Sequence, residues 1–114
     1  MSVLVTGAAG FIGMHVSRAL LARGEQVIGV VNDYYDPTLK EARLAELERQ
    51  FGGAFRLVRQ DIAEPGAFAA LFAREKEADR IVHLAAQAGV RYSLVNPGAY
   101  IRANIEGHFA VLDA

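Results

Sequence analysis

Cysteine is absent from the 114 residues, which excludes disulfides, thiol nucleophiles and cysteine-held metals. Excess charge of either sign is missing too. Twelve Lys and Arg stand against thirteen Asp and Glu, for a net charge of −1, so the chain has no basic footprint for nucleic acid or an anionic membrane. Long hydrophobic runs are also lacking. The first apolar run is broken by Thr6-Gly7 and followed by Gly10 and Gly13, a pattern of neither a signal peptide nor a membrane span, and the expected location is the cytoplasm. His15 and His108 stand alone without metal-ligand spacing, so no metal site is assigned. Repeats, linkers and low-complexity tracts are absent. What is present is 53% hydrophobic and 22% charged residues, the composition of one globular domain over residues 1–114.

Strands and helices alternate along the chain. Val3-Leu4-Val5-Thr6, Val27-Ile28-Gly29-Val30-Val31, Phe55-Arg56-Leu57-Val58-Arg59 and Arg80-Ile81-Val82-His83-Leu84 read as strands, the third towards a sheet edge. Between the first two, Ile12, Val16, Ala19 and Leu20 recur at helical spacing over residues 11–23, and Gly24 supplies the stop. A polar turn over residues 32–37 precedes a charged amphipathic helix marked by Leu39, Ala42, Leu44, Leu47 and Phe51. Pro65 stands where a third helix can begin, with Phe68, Leu71 and Phe72 as its buried face. A small-residue loop over residues 85–89 leads on to Pro97, and a last helix runs from about Ala99. Helices between strands imply parallel pairing with right-handed crossovers. The expected fold is a doubly wound, Rossmann-type α/β sheet of about four strands in the order 3-2-1-4, with helices on both faces.

Gly7-Ala8-Ala9-Gly10-Phe11-Ile12-Gly13 lies between the first strand and the first helix. In that place the first glycine permits the tight turn, the second lets backbone approach a pyrophosphate, and the third allows close helix–strand packing. The N–H groups of Phe11 and Ile12 open the helix and face the phosphates. The spacing is G-x-x-G-x-x-G rather than the commoner G-x-G-x-x-G, and its position at the first βα turn makes it a dinucleotide site.

Residues 6–13, T-G-A-A-G-F-I-G, resemble the extended short-chain dehydrogenase/reductases, the NAD-dependent nucleotide-sugar epimerases and dehydratases. N-D-Y-Y-D-P-T-L-K-E-A-R-L at 32–44, H-L-A-A-Q-A-G-V-R-Y-S-L-V-N-P at 83–97 and N-I-E-G at 104–107 resemble the UDP-glucuronate 4-epimerases among them. The resemblance implies an NAD cofactor and a UDP-sugar substrate. It places Asp61 and Ile62 at the adenine ring, with capping of a turn before Pro65 as the other role open to Asp61. It runs Leu84, Ala85 and Ala86 beside the cofactor, where small residues also simply pack. Asn104 matches a cofactor-side asparagine of the family; by itself it reads as a polar residue on an exposed helix face. Gln87, Arg91, Tyr92 and Ser93 become candidates for the sugar pocket, against a solvated arginine beside a structural tyrosine. Tyr34 and Tyr35 read equally as cover for a core edge, and His83 as a packing residue of its strand.

Two departures from the family bound this reading. The family loop D-N-L-N-D-Y-Y-D is shorter here, and Val31 replaces the acid that holds the adenosine ribose. Asn32 and Asp33 remain; Asp33 lies about 20 residues past the glycine loop and can reach the ribose instead. No arginine occurs in that loop to take a 2′-phosphate, which favours NAD over NADP. The second departure concerns chemistry. The family's hydride step at sugar C4 uses a tyrosine base with a lysine four residues on. The only lysines are Lys40 and Lys76, preceded at that distance by Asp36 and Phe72, so no catalytic residue is assigned. The expectation is the cofactor-binding, truncated N-terminal part of an epimerase, inactive alone, or else a non-catalytic NAD-binding or interaction module derived from one. The fourth strand, apolar and without proline or lysine, is expected to form an open edge and pair two copies into a homodimer.

Overall fold

The computed structural model describes residues 2–31, 37–86 and 90–114, with the side chains of 37–39 and 90–92 left aside. Four strands form one parallel sheet in the order β3-β2-β1-β4, the order expected from the sequence. They are β1 (Ser2–Thr6), β2 (Gln26–Val31), β3 (Phe55–Arg59) and β4 (Ala78–His83). β1 is central, pairing Val3 with Val27 on one side and Leu4 with Ile81 on the other. Its five residues are all buried, as an apolar β-branched run between two neighbours requires.

The described chain divides into two compact units, Met1–Gln60 with Glu77–Leu84, and Asp61–Lys76 with Ala85–Ala114. The first holds the sheet with α1 (Phe11–Ala22) and α2 (Pro37–Phe51), the latter followed by a 3₁₀ turn over Gly52–Ala54. Its core joins Val3, Val5, Val27 and Val31 from one sheet face to Leu21 of α1, Leu44 and Leu47 of α2, and Phe55. Leu4, Ile28 and Val30 point to the opposite face by strand alternation and are buried as deeply. α1 fully buries Gly13, Ser17 and Leu21, and of the apolar residues at helical spacing in the sequence Leu20 packs partly buried against the core. Small residues at 13 and 17 bring that face of the helix close to its support, and Ile12 is left 63% exposed.

The second unit is helical. α3 (Ala67–Arg74) buries Phe68 and Leu71 and packs against α6 (Gly107–Asp113). It starts two residues beyond the expected Pro65, because Glu64 to Gly66 form a turn closed by the Ala67 N–H on the Glu64 carbonyl at 3.0 Å. α4 (Val90–Val95) occupies a stretch between the loop over 85–89 and Pro97 to which the sequence gives no element. α5 (Pro97–Ile101) is capped by Asn96, whose side-chain oxygen accepts from the Ala99 N–H at 3.2 Å, so this helix begins at Pro97 rather than Ala99. A π-helical turn, Arg102–Glu106, then joins α5 to α6. Ile101, Ile105, Phe109 and Leu112, at intervals of four, four and three, are all more than half exposed.

Candidate functional site

The glycine loop connects β1 to α1 inside the first unit. Gly7 turns the chain at φ 71°, a left-handed conformation that glycine adopts without a side-chain clash, while its N–H donates to the Val30 carbonyl at 3.0 Å. The Gly10 N–H returns to the Gly7 carbonyl at 3.0 Å. α1 then rises so close to the loop that a Cβ on Gly13 would stand 1.9 Å from the Gly7 carbonyl oxygen. The bare third glycine is what lets the helix lie this close to the loop residues Gly7 and Ala8.

Three features decide whether this cradle suits a dinucleotide. α1 has no side-chain cap at Gly10 and no acid in its first turn, so among the described residues no side chain caps the first N–H groups of the helix. Phe11 and Ile12, which carry two of them, are 68% and 63% exposed. Ala8 and Ala9 present no polar side chain that would compete. The positive end of the helix dipole is thus open to an anion, and the residues present fit a pyrophosphate.

Two contacts to this loop were not legible from spacing. The Thr6 hydroxyl, fully buried, accepts the Leu84 N–H at 3.0 Å and lies 2.6 Å from His83 Nδ1. The Leu84 N–H is shared with the Thr6 carbonyl at 3.2 Å. Thr6 therefore ties the carboxyl end of β4 to the start of the glycine loop, and His83 is a hydrogen-bonded residue as well as a packing one. The second contact is from α2: Arg43 Nη1 donates to the Ala9 carbonyl at 3.0 Å.

In the second unit, Asp61 has both oxygens engaged. Oδ1 accepts the Ala63 N–H at 3.0 Å, which caps the turn. Oδ2 accepts from Arg102 Nε at 3.0 Å and Nη2 at 2.8 Å. Arg102 also reaches Glu64 at 3.2 Å. Ile62 is buried, and a Cβ on Gly107 would come within 3.2 Å of it; the bare glycine is what lets α6 lie so near. Asn104 sits exposed in the π-helical turn, two residues after Arg102, and such turns recur at functional sites. Leu84 is at the margin of exposure, Ala85 is half-buried, Ala86 exposed and Ser93 half-buried. Asn32, Asp33, Tyr34, Tyr35, Asp36 and Gln87 lie outside the described residues, as do the side chains of Arg91 and Tyr92. Among the described residues no group of three His, Cys, Asp or Glu could hold a metal, and no helix is long and apolar enough to cross a membrane.

A parallel sheet in this order, with an open glycine loop at its first βα turn, defines the dinucleotide-binding class of α/β protein. More narrowly, the chain belongs to the family described as GDP-mannose 4,6 dehydratase, whose sequence model matches residues 4–114. It is 51% identical over 114 residues to UDP-glucuronate 4-epimerase 3 of Arabidopsis thaliana, covering 98% of this chain and 26% of the plant protein. Among solved structures it resembles the UDP-glucuronic acid 4-epimerase of Bacillus cereus in complex with UDP-glucuronic acid and NAD. There the TM-score is 0.80 at 34% identity, over 99% of this chain and 35% of the other. The UDP-glucose 4-epimerase of Stenotrophomonas maltophila, with bound NAD and a formylated UDP-arabinopyranose, gives 0.82 at 34% identity, over 99% and 32%. The chain thus spans about a quarter to a third of the length of these relatives, and it corresponds to the N-terminal region of the UDP-glucuronate 4-epimerases.

Proposed function

We propose that residues 1–114 are a single NAD-binding domain, the cofactor-binding part of a UDP-glucuronate 4-epimerase-like enzyme, acting on a UDP-sugar only together with a catalytic part that supplies the tyrosine and lysine. The observation that carries this reading is the uncapped start of α1 above Gly13, in a chain half identical to such epimerases. When bound, NAD supplies the acceptor for the hydride taken from the sugar. Phe11 and Ile12 hold the pyrophosphate by their backbone N–H groups, and Gly7, Gly10 and Gly13 keep side chains out of its way. Thr6 holds Leu84 in register beside the loop. Asn32 and Asp33 are assigned to the adenosine ribose; Asp61, Ile62, Ala85, Ala86 and Asn104 keep the cofactor roles that the resemblance gives them. Gln87, Arg91, Tyr92 and Ser93 are assigned to the sugar nucleotide. A cytoplasmic location fits a cofactor and a substrate of this kind. The missing Tyr-x-x-x-Lys also supports a second reading, a non-catalytic NAD-binding or interaction module. The coding sequence downstream distinguishes them, since an in-frame Tyr-x-x-x-Lys belongs only to the first.

Isothermal titration of the chain with NAD is expected to give a dissociation constant in the micromolar range or weaker. Val31 in place of the ribose acid removes a charge-assisted hydrogen bond, a loss of roughly ten- to a hundredfold in affinity. Gly10→Val, whose Cβ alone would meet the Gly7 carbonyl oxygen at 3.3 Å, is expected to abolish the heat signal. Nanomolar affinity, or binding that survives Gly10→Val, would count against the proposed loop.

We further propose that the chain pairs with a second copy along β4. This strand is an edge in the sheet order, and Ile81-Val82-His83 offers no proline or lysine to deter pairing. A two-fold pairing would continue the sheet across the dimer. Light scattering behind size exclusion is expected to report at least twice 12.3 kDa; a monomer that persists at high concentration contradicts the pairing.

A further inference from the structure

The glycine loop is braced from outside itself. Arg43 of α2 lies in the same compact unit as the loop and is half-buried there. Its Nη1 donates to the Ala9 carbonyl at 3.0 Å. That carbonyl is one end of the Ala9–Gly10 peptide. The other end, the Gly10 N–H, donates to the Gly7 carbonyl at 3.0 Å. A trans peptide is a rigid plane with its C=O and N–H pointing in opposite directions, so a bond at each end fixes its rotation.

This plane leads directly into the phosphate-binding end of the helix. Gly10 is the residue from which α1 starts, and its own carbonyl accepts the Met14 N–H at 2.9 Å. Glycine at 7 and 10 gives the loop its turn and also its freedom. Any rotation of the Ala9–Gly10 plane re-aims the backbone that carries the N–H groups of Phe11 and Ile12. A loop that must be ordered as its ligand arrives binds less tightly than one already held. The Gly10–Gly7 bond is a local backbone contact, whereas the bond to Ala9 comes from a charged donor and is the stronger kind.

We infer that Arg43 is a positioning residue of the phosphate loop: it presets the Ala9–Gly10 peptide, so that the loop meets an anion already in its binding shape. This rests on the dinucleotide-binding reading above, and it adds the side chain that holds the site ready. The effect runs through the N–H donor on the Ala9 carbonyl and requires no contact between Arg43 and the ligand.

The test combines calorimetric titration with NAD and amide hydrogen exchange of the ligand-free 114-residue chain, parent against Arg43→Met and Arg43→Lys. Arg43→Met keeps most of the apolar stem and removes the donor; Arg43→Lys restores a charged donor on a slightly shorter stem. Arg43→Met is expected to weaken NAD about tenfold, the loss of one charge-assisted bond. Without ligand it should speed exchange at the Gly10 N–H about tenfold and leave Val5, in the middle of β1, unchanged. Arg43→Lys is expected to bind NAD within about threefold of the parent. Gly10 exchange unmoved by Arg43→Met, with NAD affinity lowered, would make Arg43 a direct ligand contact and overturns the inference alone. Exchange raised alike at Gly10 and Val5, or a variant that does not fold, would make it a general stabiliser and overturns the inference too. So does NAD affinity unmoved by Arg43→Met, or an Arg43→Lys no better than Arg43→Met. A parent chain that binds no NAD overturns the dinucleotide-binding reading and this inference with it.

Discussion

Gly13→Ala is expected to lower the unfolding free energy by roughly 3 kcal/mol or more, at the upper end of what overpacking costs. The added methyl carbon would stand 1.9 Å from the Gly7 carbonyl oxygen, 2.8 Å from its carbonyl carbon and 3.1 Å from the Ala8 Cα. All three are backbone atoms, so no flexible side chain can swing aside. Relief requires lifting α1 off the loop, which disturbs the Gly10–Gly7 bond and the burial of Ser17 and Leu21 on the same face. Against a total stability of about 5–15 kcal/mol the loss is large. It corresponds to a midpoint lowered by about 15 °C for a chain of this size. Thermal denaturation followed by circular dichroism reads it directly, and a variant melting within two or so degrees of the parent would contradict the packing described. Any part that stays folded should have lost NAD binding, since the N–H groups of Phe11 and Ile12 move with the helix.

The second expected result is a complete absence of turnover. The 114-residue chain incubated with UDP-glucuronate and NAD should leave the sugar nucleotide unconverted. Withdrawal of a hydride from sugar C4 needs a base that takes the proton of the hydroxyl on that same carbon, and the family places a tyrosine there with a lysine four residues on. Neither Lys40 nor Lys76 has such a tyrosine. General acid–base catalysis alone is worth about 10²–10⁴ in rate. Chromatographic separation of UDP-galacturonate from UDP-glucuronate checks this, and product above a no-protein control would refute the inactivity proposed.

The sheet was readable in the sequence because β1 and β2 are short β-branched apolar runs and periodic helices separate the strands. Leu44 and Leu47 announce α2, and both are buried in its core contact. The glycine loop was readable because its function is a property of backbone, and glycine is how a sequence writes backbone. α4 escaped because the apolar side chains described in it, Leu94 and Val95, are 85% and 79% exposed and so mark no buried face. The π-helical turn escaped because no residue type marks one extra residue per turn. The pairs Arg43–Ala9 and Thr6–Leu84 escaped for a different reason: they join residues 34 and 78 apart, and only the assembled sheet brings them into reach. Asp61 was readable as a turn cap, but its engagement with Arg102 depends on where the last helix passes.

The row formed by Ile101, Ile105, Phe109 and Leu112 changes how the folded state will present itself to common probes. Dyes such as ANS fluoresce on exposed apolar surface, and their signal is ordinarily taken as the mark of a molten globule. This chain offers them such surface with its secondary structure and packing intact, so dye fluorescence does not distinguish its native state from a loosened one. Tryptophan is absent and the four tyrosines carry the near-ultraviolet signal, which leaves tyrosine dichroism and amide exchange as the measures that separate a well-packed domain from a merely compact one.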